Sequence, residues 1–374
     1  MKFVVSSSAL SSHLQVISRV IASKNTIPVL DCFLFELHDN LLKITAADSE
    51  TRMITSVEVK EVEGEGVFAI PSKNLLDSLK ELPDQPIVFD INDTTLEMYI
   101  LYENGKYSFI GQNGDEYPQS KPLRDNANKV EISAENLLSG ISRTLFATAE
   151  DELRPVMNGI LFDISETDIT FVASDGHKLV RFKNSSVKGN EKSAFILPKK
   201  PANLLKTVLP RETGMVTIAF DDNNAYITME HIVIISRLIE GRYPNYNGVI
   251  PRDNPFKITV DRLLIVNALK RVSVFSNPAS SLIKLQLFPS SIFVSAQDID
   301  YSTSAEETVG CVYEGEEISI GFKGTYLIEI LSNIPSAEVV LQLADPSRAG
   351  LMFPVENEAD EDLLMLLMPM MLND

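Results

Sequence analysis

Cysteine is nearly absent. Only Cys32 and Cys311 occur among 374 residues, in different parts of the chain and in no paired motif. No disulfide framework is indicated, and a reducing compartment fits. Histidine is scarce too: His13, His38, His177 and His231 show no metal-ligand spacing with one another. There is no Walker-type phosphate loop and no G-x-G-x-x-G; Gly64-Glu65-Gly66 reads as an acidic turn. No cofactor is expected. Long apolar runs are missing as well. A membrane span needs about 20 apolar residues, and the apolar tail at 363–372 is about half of that. The N-terminus sets Lys2 before apolar residues, as a signal peptide does. However, Ser11, Ser12, His13, Gln15, Ser18 and Arg19 interrupt it at helical spacing, so it reads as an amphipathic helix. Positive charge is in short supply: 33 Lys and Arg against 52 Asp and Glu, a net charge of −19. Taken whole, that balance speaks against a nucleic-acid partner.

What the chain has is repetition. Strand-then-helix patterns open at Lys2-Phe3-Val4-Val5, Lys129-Val130-Glu131-Ile132 and Lys257-Ile258-Thr259-Val260. The first core leucine of each helix is read as Leu10, Leu137 and Leu264, both intervals being 127 residues. A second landmark keeps step. Phe68-Ala69-Ile70-Pro71-Ser72-Lys73 returns as Phe195-Ile196-Leu197-Pro198-Lys199, then as Ile318-Ser319-Ile320-Gly321-Phe322-Lys323. A period of about 125 residues exceeds the roughly 20–50 of solenoid units and matches a domain. The expectation is three similar domains, 1–125, 126–252 and 253–374. Each holds a weaker internal duplication of strand, helix and strands. In the first, helices are expected at 8–23 and 72–82 and strands at 41–46, 52–59 and 87–91.

Charge distribution reverses the first impression. Six helices are expected at 8–24, 71–83, 133–148, 198–211, 260–275 and 321–335. They carry 13 Lys and Arg against 5 Asp and Glu, and the rest of the chain carries 20 against 47. Phase sharpens the pattern. Leu10, Leu14, Ile17 and Ile21 share one face of the first helix, with Arg19 roughly opposite. Lys73 and Lys80, and likewise Lys199 and Lys206, lie seven apart and away from the leucines. A solvated face is the plain explanation for any one helix; six biased together point to phosphates read without base contacts. A 125-residue domain is about 35 Å across, so three in a ring leave a hole of about 5 Å and six about 35 Å. A duplex, on the order of 20 Å wide, passes only through six. Encirclement therefore calls for two copies of the chain.

Several segments carry a family resemblance: Met1-Lys2-Phe3, Thr26-Ile27-Pro28-Val29-Leu30, Arg154-Pro155-Val156-Met157-Asn158-Gly159 and Ser174-Asp175-Gly176-His177-Lys178-Leu179. Gly241-Arg242-Tyr243-Pro244-Asn245-Tyr246, Gly321-Phe322-Lys323-Gly324-Thr325-Tyr326 and Met368-Pro369-Met370 add to it. From residue 1 to 372 the chain resembles the bacterial DNA polymerase III β subunit family, the sliding clamps of replication. The resemblance implies an α+β DNA clamp fold: three tandem domains, each with two helices on the inner side of antiparallel sheets. It implies a head-to-tail homodimer forming a six-domain ring on duplex DNA, bacterial, cytoplasmic and nucleoid-associated, with no catalysis of its own. Implied partners are the polymerase III α subunit, the clamp loader complex, and other polymerases, ligase and mismatch-repair proteins that carry clamp-binding motifs.

The same matching implies a partner-peptide pocket. Its members come from the second domain as Met157, Ser174, Gly176, His177, Lys178, Leu179, Pro244 and Val249, and from the third as Tyr326, Leu366, Met368, Pro369 and Met370. Met and Leu make an adaptable apolar groove, and His177 and Ser174 are able to orient a peptide by hydrogen bonds. Arg19, Lys24, Lys73, Lys80, Lys199, Lys200 and Lys206 are the expected DNA-facing residues. At the dimer seam, Lys106, Tyr107 and Phe109 on an edge strand would meet Val274 and Phe275. The chain departs from the family at Met371, where an Arg is common, at Gly248 on the pocket rim, and in the acidic loop Glu150-Asp151-Glu152. It also continues through Asn373 and Asp374. Two rivals stand against this. An interaction scaffold that never encircles DNA suits the acidity but not the helix-confined positive charge. An enzyme built on Ser174, Asp175 and His177 would need convergence from separate segments, not residues of one turn.

Overall fold

The computed structural model describes residues 1–92 and 94–372; the Asn373-Asp374 tail lies outside the described residues. Among the described residues six α-helices, α1 Ser7–Ile17, α2 Ser72–Lys80, α3 Ala134–Thr144, α4 Lys199–Val208, α5 Arg262–Ser273 and α6 Gly324–Ser332, are set among antiparallel strands. The expected strands are found as Leu41–Ala47, Thr51–Glu58 and Pro86–Asn92.

Two compact units arise, and each is built across a repeat boundary. The first comprises residues 1–137 and 200–238, the second 138–199 and 239–374. In the first, Thr51–Glu58 pairs with Ile232–Arg237, with Met53 opposite Ile234. That ladder fuses strands of the first and second repeats into one nine-stranded sheet, and a five-stranded sheet belongs to the same unit. In the second unit, Lys178–Asn184 pairs with Glu361–Leu367, with Val180 opposite Met365. That ladder joins the second and third repeats in an eight-stranded sheet, accompanied by a four-stranded one. Sharing strands satisfies backbone groups that a lone repeat would leave at a sheet edge. Aromatic contacts fill the cores, with Phe3 stacked on Phe89 at 4.8 Å in one unit and Phe162 on Phe195 at 4.5 Å in the other.

The helix-opening repeat has a physical cause. The side chains of Ser6, Ser133 and Asp261 accept the amides of Ala9, Asn136 and Leu264 at 3.2, 3.2 and 2.8 Å. These are N-caps, each satisfying an otherwise orphaned helix donor. Counting from the cap, positions four, eight and eleven are buried every time: Leu10, Leu14 and Ile17; Leu137, Ile141 and Thr144; Ile265, Leu269 and Val272.

The structure corrects four sequence expectations. Leu264 is not a core residue but 58% exposed, and Ile265, fully buried, takes the place of Leu10 and Leu137. Ile21 does not continue the buried face of α1. The helix gives way to a 3₁₀ turn at Ser18–Val20, whose three-residue period brings Val20 inward instead. Arg19 sits on that turn and Lys24 beyond it, so neither belongs to an α-helix. In the second landmark, Phe68-Ala69-Ile70-Pro71 corresponds to Ile320-Gly321-Phe322-Lys323, two residues later than expected, because Pro71, Pro198 and Lys323 each immediately precede a helix.

Candidate functional site

The Ser-Asp-Gly-His motif forms the turn between strands Ile169–Ser174 and Lys178–Asn184. Asp175 Oδ1 accepts the amides of His177 and Lys178 at 2.8 and 2.9 Å. Ser174 Oγ donates to the Lys178 carbonyl at 2.8 Å and accepts the Gly176 amide at 3.1 Å. Gly176 has φ +90°, a region costly for a side chain, and a Cβ there would lie 2.9 Å from the Arg154 guanidinium. These bonds present the His177 ring outward while committing the Ser174 hydroxyl to its own turn, so Ser174, Asp175 and His177 do not form a nucleophile–base line.

The turn in turn holds the C-terminal segment. The Met368 amide donates to the His177 carbonyl at 2.8 Å, and the Met370 amide to the Gly321 carbonyl at 2.8 Å. Met368, Pro369 and Met370 are thereby tied to both the Gly176 turn and the strand Ile318–Lys323. Tyr326, in the first turn of α6, lies 6.1 Å from the His177 ring, centroid to centroid. Lys178 Nζ sits 4.3 Å and Lys323 Nζ 4.5 Å from the Tyr326 ring centre. The Lys178 side chain is only 6% exposed and pairs with Asp175 at 3.2 Å and Glu329 at 2.9 Å. Burial works to lower its pKa; the bonds to Glu329 and Asp175 outweigh burial and raise it.

Beneath lies an apolar floor. Leu179 and Leu366 stand opposite each other in register and pack with Leu161, Val172, Tyr243 and Leu351 in one buried cluster. Val156, Tyr246 and Ile250 pack against it. Met157 is buried, while Val249, Met368 and Met371 are 59, 42 and 78% exposed and Pro244 is exposed. A buried aliphatic floor, the exposed Met368 tied to the His177 carbonyl, and one outward imidazole together offer an adaptable apolar surface with a polar edge. The structure thus gathers Ser174, Gly176, His177, Lys178, Leu179, Tyr326, Leu366 and Met368–Met370 at one place. Val172, Tyr243 and Leu351 were missed; Tyr243 lay inside the quoted Gly-Arg-Tyr-Pro segment, whereas Leu351 carries no local signal.

The expected DNA-facing cations fall in both units. Arg19, Lys24, Lys73, Lys80, Lys200 and Lys206 are exposed and belong to the first; Lys199, in the second, is half-buried. Lys80 is 3.9 Å from Asp77. Lys200 donates to the Val20 carbonyl at 2.7 Å and contacts the Asp48 carboxylate. Lys199 pairs with Glu150, which holds that carboxyl below its ordinary range. The acidic loop therefore has a defined local role. Glu150 balances Lys199, and Asp151 accepts the Leu153 amide and Arg154 Nε at 2.8 Å each.

Lys106, Tyr107 and Phe109 lie on strand Gly105–Ile110, an edge of the five-stranded sheet. Tyr107 and Phe109 share one face, their ring centres 6.4 Å apart, and Ile110 is 74% exposed. Val274 and Phe275, 77 and 40% exposed, follow the end of α5. No helix among the described residues is long and apolar enough to cross a membrane.

Comparison with known proteins covers this whole arrangement. Models of the N-terminal, central and C-terminal domains of the DNA polymerase III beta subunit match residues 1–121, 131–245 and 247–371. The beta sliding clamp of Haemophilus influenzae is 28% identical over 376 residues and that of Pseudomonas aeruginosa 26% over 373, each covering 100% of both chains. Among solved structures, a DNA polymerase sliding clamp from Pseudomonas aeruginosa superposes with a TM-score of 0.94 at 26% identity, covering 100% of each chain. A sliding clamp from Bartonella birtlesii bound to griselimycin does so at 0.92 and 27%, also covering 100% of each chain. All three domains follow one another in order along the full sequence: the chain belongs to the DNA polymerase III beta subunit family.

Proposed function

We propose that this chain is the sliding clamp of a replicative DNA polymerase: it encircles duplex DNA and tethers its partners, with no catalysis of its own. The observation that carries this is the tandem match of all three beta-subunit domains, end to end. Two copies joined head to tail would give the six domains, bounded near 1–125, 126–252 and 253–374, that a duplex-sized bore requires. The exposed edge at Gly105–Ile110 and the apolar end of α5 at Val274 and Phe275 are suited to the seam. Arg19, Lys24, Lys73, Lys80, Lys199, Lys200 and Lys206 would face phosphates, with Lys199 and Lys200 exchanging Glu150 and Asp48 for DNA. An ion pair traded for a phosphate contact changes free energy little, which favours sliding over arrest.

The pocket around His177, Tyr326 and Met368 is the receptor for a partner peptide. A griselimycin complex of a related clamp supports a ligand site on this fold. The occupants would be the polymerase III α subunit, the clamp loader, and further polymerases, ligase and mismatch-repair proteins. The setting would be the bacterial cytoplasm at the nucleoid. Primer extension on a singly primed circle tests this: with loader and polymerase, the chain should turn short products into full-length ones. Unchanged product length would reject the proposal.

A further inference from the structure

A cavity outside the peptide pocket opens between α1 and the end of α4. Its volume is about 240 Å³, below the roughly 300–1,000 Å³ of sites for drug-sized ligands. His13, Arg19, Thr55, Arg211 and His231 line it, and Glu212 is the one acid among the lining residues. Val16, Val208 and Ile232 supply an apolar wall. That balance is unusual in a chain with 52 acidic and 33 basic residues. Neither arginine makes an ion pair among the described residues.

A hydrogen-bond relay fixes the histidine. Thr55 Oγ1 donates to the His231 carbonyl at 3.0 Å, and His13 Nδ1 lies 2.6 Å from the same hydroxyl. The single hydroxyl proton is already committed, so His13 Nδ1 is the donor and Nε2 is the nitrogen left for the cavity. Protonating Nε2 adds a donor without breaking the relay.

We infer that this cavity binds a phosphoryl anion, with Arg19 and Arg211 as its charge partners and His13 Nε2 as a proton donor. Burial and then the neighbouring His231 lower the His13 pKa in the free protein. A bound anion would offset both and draw a proton onto the ring; among the lining charges, Glu212 is the one that repels the anion. The same phosphoryl chemistry has two sources, free inorganic phosphate and the phosphodiester of duplex DNA. The free-phosphate arm does not depend on the clamp reading.

With only four histidines in the chain, ¹³Cε1-labelled histidine gives a direct reading on the full-length protein. On adding inorganic phosphate at mildly acidic pH, the His13 and His231 signals should move saturably while His38 and His177 stay still, and the His13 midpoint should rise. A short duplex added in place of phosphate should move the same two signals if the backbone is the source; no movement with duplex but movement with phosphate assigns the site to the free ion. In an R19Q/R211Q variant both movements should vanish. Signals that respond to neither ligand, or that respond equally in the variant, overturn the inference.

Discussion

Lys178 holds a positive charge where little water reaches it, between Asp175 and Glu329 and over the Tyr326 ring. Replacing it by Met leaves two carboxylates uncompensated. Breaking a fully buried pair costs about 3–5 kcal/mol, and with Glu329 38% exposed the loss should be about 1–3 kcal/mol. Urea unfolding checks the stability, and peptide binding should weaken roughly tenfold as Tyr326 and the His177 turn lose their anchor. Because the Lys178 pKa is raised above 10.5, its pairing is fully present below that value and is lost only as pH rises through the raised one. The pocket should thus keep its shape across the neutral range. His13 has the opposite sign. Its folded pKa lies below 6.5, so the stability that comes from keeping it neutral is complete above 6.5 and is lost as pH falls through the folded value. Between about pH 7.5 and 5.5 the thermal midpoint should drop, and His13→Gln should flatten that drop; equal slopes would show that His13 is not the group responsible. At this scale the sequence was half legible. The motif residues stood out, but Glu329 lies 151 positions after Lys178 and Asp48 152 before Lys200, and no local pattern announces such partners.

Helices were read correctly in number and imprecisely in phase. In α5 the run Leu263-Leu264-Ile265-Val266 offers four apolar residues in succession, so periodicity alone does not choose which of them face inward. The Asp261 cap chooses. Ile265→Ala should cost about 2–5 kcal/mol and Leu264→Ala less than about 0.5 kcal/mol; denaturant unfolding with the order reversed would contradict the cap register. The same limit explains Val20. A 3₁₀ turn changes the period within three residues, and nothing in Ser18-Arg19-Val20-Ile21 marks where an α-helix tightens. Strands fared better because alternation is a stricter signal: Thr51–Glu58 reads buried and part-exposed in turn along its first five residues.

The repeat in the chain became shared sheets in the molecule. A 127-residue period suggested three similar domains in series, yet the ladders of Thr51–Glu58 with Ile232–Arg237 and of Lys178–Asn184 with Glu361–Leu367 carry each sheet across a repeat boundary. Such pairings join residues more than 170 positions apart, which is why the sequence hid them. The free edge at Gly105–Ile110 is where the same logic would extend to a second copy. Ile110→Glu changes a side chain that is 74% exposed, so the fold should survive while edge pairing is lost. Size-exclusion chromatography should then show half the native mass with an unchanged unfolding midpoint; native mass would move the seam elsewhere. The central claim is topological: weak phosphate contacts permit sliding, and ring closure prevents escape. It is tested most directly by loading the protein on a nicked circular plasmid and cutting the circle once. Release on linearisation is the expected result, and retention on the linear DNA would contradict the claim.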